Sequence, residues 1–514
     1  MTIAINLSVK TVLIRNIFTR NLCAFAPVFD ENVLSHVRPY SELPGPKPIF
    51  FFGNTWRFIP FIGDFNIQEI DKVSSRLYRD YGDIVKVSGL MGRPDMVFLY
   101  DANEIKRIFK QEEKMPYRPS MSSLNYYKHV LRKDFFTNAC SGVIATHGEG
   151  WYQFRTKVQQ VMLQPRIANM YIGNIEEASI AFLKRIRMIK DYKDEVPDDF
   201  INEINKWALE SIAHVALDVR LRCMDESANV DTQKLITAIH TVFTNVGILE
   251  LKIPFWKVCR TPTWNAWVEA LDNIFNFATK YTEIALEKSK NRIKGSELSL
   301  LERVLKMDVN NGHKLAAVLA LDLFLVGVDT TATAVGSILY QLARNPEKQA
   351  ILYDELMQIL PREDMQINCK HLQDLKYVKA CIRETLRMHP VVIGNGRCMT
   401  RDTIIKGYRI PKGVQVIFQH YVISNQEKYF ANSNEFYPER WLQENTSRHA
   451  FASLPFGYGR RMCLGKRFAD LELVMVISKI LQKFKLEYHH RDLDYHINPL
   501  YTPKGPLKIK FIAR

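Results

Sequence analysis

From residue 315 to 343 the chain holds only two charges, Asp322 and Asp329. So long an apolar run predicts a helix buried in a core, since an acid at a bilayer centre is costly. Asn345-Pro346 closes it. Between Lys466 and Lys483 the pattern predicts a second helix, with Phe468, Leu471, Val474, Met475 and Ile477 on one side. Trp151 begins a third after Gly148 and Gly150, and Glu384 to Arg387 lie on a fourth that ends at His389-Pro390. Extended patterns at Ile84–Val87 and Met96–Tyr100 predict the first strands of a small sheet. Tyr408, Ile410, Val414, Val416 and Phe418 predict a strand and hairpin. Between 248 and 267 apolar, aromatic and basic residues alternate, with Trp256, Trp264 and Trp267 beside Lys252 and Lys257. That mixture suits a membrane interface and ordinary packing equally. Leu43-Pro44-Gly45-Pro46-Lys47-Pro48 is a stiff, punctuated stretch.

Composition narrows the picture. With 514 residues, 47% hydrophobic, the chain can bury a large core. No fixed period recurs and no low-complexity linker divides it after residue 50, so one two-lobed domain fits as well as several small ones. A net charge of +15 suits an acidic protein or an anionic membrane. No nucleic-acid motif accompanies it. None of the eight cysteines forms a C-x-x-C pair, which argues against a zinc module and for a reducing compartment. Residues 1–29 carry Lys10, Arg15 and Arg20, hydroxyls and no acid. Their uncharged runs reach nine residues, far short of the roughly 20 that span a bilayer. This is the composition of a mitochondrial transit peptide, expected over 1–37, with one catalytic domain over 38–514.

The chemistry gathers at Phe456-Gly457-Tyr458-Gly459-Arg460-Arg461-Met462-Cys463-Leu464-Gly465, a glycine-punctuated loop running into the Lys466 helix. Gly459 and Gly465 are expected to allow backbone geometries that a Cβ forbids, so the chain can lie close to a flat ligand. Cys463 is expected to be favoured as a thiolate by the helix N-terminus and by Arg461. A lone cysteine is usually a buried structural one. Five positions here, however, fit the signature F-x-x-G-x-R-x-C-x-G, a match that chance gives about once in a few million windows.

The sequence therefore resembles the cytochrome P-450 family over nearly its whole length. The resemblance implies a mainly α fold with small β-sheets, in two lobes, with haem b between a long central helix and the cysteine-bearing loop. It implies that Cys463 is the axial iron ligand and that Phe456, Gly459, Arg461 and Gly465 shape the cofactor loop. The W-x-x-x-R pair Trp151 and Arg155 and, further on, Arg397 match the residues that hold the haem propionates. Gly327, Asp329 and Thr330 match the oxygen-activation segment, where the glycine loosens the helix and the other two relay protons. Glu384, Arg387 and Arg440 match a structural triad that holds the segment leading to the cysteine. Val391, Val392 and Ile393 match substrate-facing positions. One departure stands out: relatives usually place alanine or glycine at Val326, and a β-branched residue narrows the space beside iron.

Lys379 and Arg383 match two cations that receive an acidic ferredoxin in mitochondrial members, and Lys466 and Arg467 add charge beside the cysteine. The stretch from Tyr126-Tyr127-Lys128 to Phe135-Phe136 resembles the insect mitochondrial branch. The function expected is a monooxygenase acting on a lipophilic small molecule, with dioxygen, a ferredoxin and its NADPH-dependent reductase. The expected place is the matrix side of the inner membrane, in peripheral contact with it. Two rivals remain at this level: a haem-thiolate isomerase or lyase needing no reductant, and a non-catalytic haem- or lipid-binding protein.

Overall fold

A computed structural model describes residues 37–514 except 120, 137–139, 226–229, 291–296, 309, 363–364, 444–447 and 498–499. The expected transit segment thus lies outside the described residues, Val37 apart. Apolar side chains gather into two main cores, one for each lobe. The larger surrounds the long helix, Gly312–Arg344, which packs most extensively against helices Phe200–Leu217 and Pro262–Lys290. Although long and apolar enough to cross a membrane, it has 78% of its most apolar window buried in protein, as expected of a core helix. The cysteine-side helix spans Lys466–Lys483 and is buried nearly all round from Leu471 to Gln482. Its pattern of one apolar side is therefore only the minimum of what is covered.

The smaller core is built on a sheet. Strands β1 (Ile84–Val87), β2 (Met96–Leu99), β3 (Asn395–Cys398), β4 (Thr403–Ile405), β5 (Tyr408–Ile410) and β6 (Gln415–Phe418) lie in this lobe. The four-stranded sheet has the order β1-β2-β6-β3. Only the β2–β6 pair is parallel, with Val97 opposite Val416. The predicted hairpin across Tyr408–Phe418 does not form. β5 pairs with β4, and β6 crosses to β2 and β3 instead. The turn at Gly413, at φ +91, sends the two strands to different sheets.

Two further stretches find their places in the fold. The proline-rich stretch is docked: the Pro44 carbonyl accepts from Lys86 N–H at 2.8 Å, and a Cβ on Gly45 would meet the Lys86 carbonyl at 2.0 Å. The tryptophans of 248–267 face inward. Trp256 stacks on Trp264 at 4.7 Å and Trp264 on Trp267 at 5.4 Å, and all three are buried. Among the apolar side chains left outside there, Phe255 and Val258 are the most open, 60% and 89% exposed.

Candidate active site

The cysteine loop is fixed by its own backbone. Cys463 N–H donates to the Phe456 carbonyl at 2.9 Å, closing the loop. Gly457 and Gly459 take φ of +68 and +75, and a Cβ on Gly459 would sit 2.8 Å from Glu112 Oε2. Gly459 thus needs to be glycine, as expected, and Gly457 joins it. Gly465 does not: its φ is −83 and nothing lies within 4 Å of the place its Cβ would take.

Cys463 lies three residues before the first helical residue, not on the helix end itself. Its side chain is exposed, yet enough protein surrounds it that burial pushes the thiol up. The Gly465 N–H, Arg155 and Lys466 act in the opposite direction. The expected push from the helix end is present as the Gly465 N–H, while the one expected from Arg461 comes from Arg155 instead. The cation that bears on the sulfur first is Arg155, and burial favours the protonated thiol. Iron binding would remove that proton, since a coordinating thiol is deprotonated outright.

Arg461 has other work. Its guanidinium lies 3.6 Å from the ring of buried Trp151 and donates to the carbonyls of Pro116 at 3.1 Å and Thr146 at 3.0 Å. Arg155 and Arg397 are buried nearby, 5% and 3% exposed. A fourth guanidinium, Arg118, completes the group. Burial first, then repulsion from Arg118, Arg397 and Arg155, pulls Arg461 down to about 8. Burial, Arg397 and Arg155 pull Arg118 down to about 10. Arginine does not surrender its proton in practice, so these shifts express a demand for anions. Glu112 meets part of it through Arg397 Nε at 2.6 Å. Arg461 Nη2 and Arg118 Nε remain buried without a partner. A dianionic cofactor edge such as the two propionates of haem fits that demand. Arg118 and Glu112 escaped the sequence reading. Pro119 holds Arg118 in an extended backbone, a signal of rigidity but not of burial.

The long helix passes unbroken through Gly327, so the expected loosening is absent. A Cβ there would come 2.5 Å from Ile212 Cδ1, and glycine serves close packing against helix Phe200–Leu217. Among its mostly buried neighbours, only Leu323, Val326, Gly327, Asp329 and Thr330 are partly open between 315 and 343. At 100° per residue they form one arc of about 160°. Val326 and Thr330 share the middle of that arc. Thr330 Oγ1 donates to the Val326 carbonyl at 2.6 Å, the back-bond typical of threonine in a helix. Asp329 Oδ1 is buried without a partner, and burial raises the carboxyl to about 7. The two side chains are not bonded to each other.

Glu384 is fully buried and accepts five hydrogen bonds. Arg387 gives two at 2.9 Å, Arg440 one at 3.0 Å, Trp441 one at 2.8 Å and Tyr437 N–H one at 3.2 Å. The arginines spend their other donors on main-chain carbonyls of Ser424, Ala431, Asn432, Ser433 and Glu435. Val391, Val392 and Ile393 do not form one wall. Val391 packs on the large core, Ile393 on the small Tyr495–Tyr501 cluster, and Val392 is 48% exposed. The chain bends at 391–392, so strand alternation does not apply there.

On the helix Lys376–Met388, Lys379 is half-buried and donates to the Gln373 carbonyl, while Arg383 is exposed. Burial and then the like charge of Arg383 pull Lys379 down, which sets the two cations side by side. Arg467 is exposed, but Lys466 is paired with Asp470.

A solitary cysteine beside an anion-hungry arginine cluster, in a two-lobed and mainly helical fold, defines a haem-thiolate protein. Comparison agrees: the family model described as Cytochrome P450 matches residues 43–511, and the chain belongs to that family. It is similar to "Probable cytochrome P450 49a1" of Drosophila melanogaster, 45% identical over 93% of this chain and 83% of the relative. "Probable cytochrome P450 301a1, mitochondrial" of the same fly is 43% identical over 92% of this chain and 87% of the relative. "Cytochrome P450 CYP12A2" of Musca domestica is 34% identical over 92% and 91%. The chain is thus a P450 monooxygenase of the insect mitochondrial branch, with haem held by a cysteine thiolate as its cofactor.

Proposed function

We propose that this chain hydroxylates a lipophilic small molecule, steroid-like or foreign, inside mitochondria with electrons from an acidic ferredoxin. Cys463 is the thiolate that holds haem b, which supplies the dioxygen activation that oxidises a C–H bond. Arg118, Arg155, Arg397 and Arg461 hold its propionates, and Trp151 buttresses Arg461. Phe456 and Gly459 would shape the cysteine loop that holds the haem. Asp329, titrating near neutrality, exchanges protons between the interior and the oxygen site, and Thr330 presents oxygen lone pairs there. Val326 is the wall next to them.

The observation that carries the ferredoxin reading is the pair Lys379 and Arg383, with exposed Arg467 and Lys376, on the cysteine side of the protein. Residues 1–37 act as the transit peptide, and 38–514 form the catalytic domain. Contact with the inner membrane is supported by outward apolar tips. Phe50 is 98% exposed, Phe61 fully so and Ile62 69% exposed. The Phe50 tip reaches the 248–267 stretch through Gly53 against Gly89 and Gly92 against Pro254, next to Phe255.

The test is Lys379→Glu with Arg383→Glu. Binding of an acidic mitochondrial ferredoxin at low salt should weaken at least tenfold while haem content stays unchanged. Equal ferredoxin affinity in the variant contradicts the reading.

A further inference from the structure

Lys128 is a fully buried lysine that no step above uses. It stands on a π-helical turn, Tyr127–Leu131, a rare conformation that is frequent at functional sites. Its ammonium donates to Asp322 Oδ1 at 3.0 Å and to the carbonyls of Ser141 at 3.1 Å and Ile144 at 3.0 Å. The other oxygen of Asp322 accepts from Val143 N–H at 2.6 Å. The chain wraps the carboxylate so tightly that Gly142, at φ +81, has no room for a Cβ, which would lie 2.4 Å from Oδ2. One ion pair therefore dictates the path of 141–144.

The place of this clamp is informative. Asp322 is seven residues, about 10 Å along the long helix, before Asp329 and on the same side. At its far end the same loop is tied to the cysteine loop, where Arg461 donates to the Thr146 carbonyl. The loop thus spans from the helix that bears Val326 to the loop that bears Cys463. Val143 and Ile144 are only partly buried, although Ser141, Ala145 and Thr146 around them are fully so. A buried ion pair is weak evidence of a stabilising device, because desolvation offsets its attraction. What this one does well is fix a position.

We infer that Lys128 and Asp322 are positioning residues that set the width of the substrate chamber by holding Val143 and Ile144 opposite the Val326 face. The inference rests on placing that face at the oxygen side of the haem.

The test is the double substitution Lys128→Met with Asp322→Leu, which removes both charges together and leaves none stranded. Azoles that ligate haem iron serve as probes, through the shift of the Soret band: imidazole as the narrow one, 4-(biphenyl-4-yl)imidazole as the wide one. Wild type and variant should both show the 450 nm ferrous–CO band and bind imidazole within twofold of each other. In the variant the ratio of wide to narrow dissociation constants should fall at least fivefold, because the released loop no longer limits width. A haem-loaded variant with a ratio within twofold of wild type, or a higher one, assigns the pair a structural role only and overturns the inference. If wild type gives no Soret shift with imidazole, the placement of the site itself fails and takes the inference with it. If the double variant does not load haem, Ile144→Ala decides: it leaves the pair intact and must lower the same ratio at least fivefold, and no change refutes the inference.

Discussion

Glu384→Gln keeps the shape of the side chain and removes its charge, so it isolates what the carboxylate does. Oε1 accepts from Arg387 Nη2, Arg440 Nε and Tyr437 N–H, and Oε2 accepts from Arg387 Nε and Trp441 Nε1. Glutamine can place its oxygen at only one of those positions. With the oxygen at Oε1, the amide nitrogen meets two donors, and Arg387 Nε and Trp441 Nε1 lose their partner. Each unsatisfied buried donor costs about 1–3 kcal/mol. Arg387, 0% exposed, also loses its counter-charge, and breaking a buried pair costs about 3–5 kcal/mol. These contributions overlap, so about 3–5 kcal/mol is the expected total. That is a large part of the roughly 5–15 kcal/mol that holds a folded domain together. The segment 424–435, whose carbonyls the two arginines gather, should loosen with it. The assay is the urea midpoint followed by the Soret band, together with protease sensitivity of the purified protein. The variant should unfold at much lower urea, lose haem and be cleaved early near 424–435. A midpoint within about 0.5 kcal/mol of wild type, the range of neutral surface changes, would refute the reasoning.

Burial raises Asp329 to about 7, so between about pH 4 and 7 the folded state holds a proton that the unfolded state has lost. Its contribution to stability is therefore greatest below the ordinary carboxylate value, falls as pH rises and levels off above 7. Asp329→Asn should accordingly be more stable relative to wild type at pH 8 than at pH 5, and an equal difference at both rejects the shift. Val326→Ala removes two methyl groups from a stiff side chain on the open arc, at a cost of about 1–3 kcal/mol. It should accept bulkier substrates or move the carbon oxidised, and lower stability with an unchanged product profile would reject the wall. Gly459→Ala combines positive φ with a clash at Glu112 and should cost about 1–3 kcal/mol in a denaturation curve, where wild-type stability would contradict the geometry.

The local grammar of the chain was the part open to reading. The Lys466–Lys483 helix, the long helix with its Asn345-Pro346 stop, and the i, i+3 pair Glu384 and Arg387 all depend on neighbours within a few turns. What stayed hidden depends on distant partners. The arginine cluster draws on positions 118, 155, 397 and 461, and nothing near Arg118 announces the others. β6 joins β2 across more than 300 residues, a pairing that alternation cannot specify. The tryptophans of 248–267 read equally well outward or inward until the helices around them were in place. Gly465 looked like a backbone requirement, yet its φ is ordinary.

Everything converges on one sulfur. The ferrous–CO spectrum of Cys463→Ser, set beside wild type at equal haem loading, tests it most directly. Wild type should absorb near 450 nm, the signature of a thiolate ligand. The variant should fold and lose that band, with at most a signal near 420 nm. A variant that keeps the 450 nm band would show that another residue holds the iron and would contradict the account at its centre.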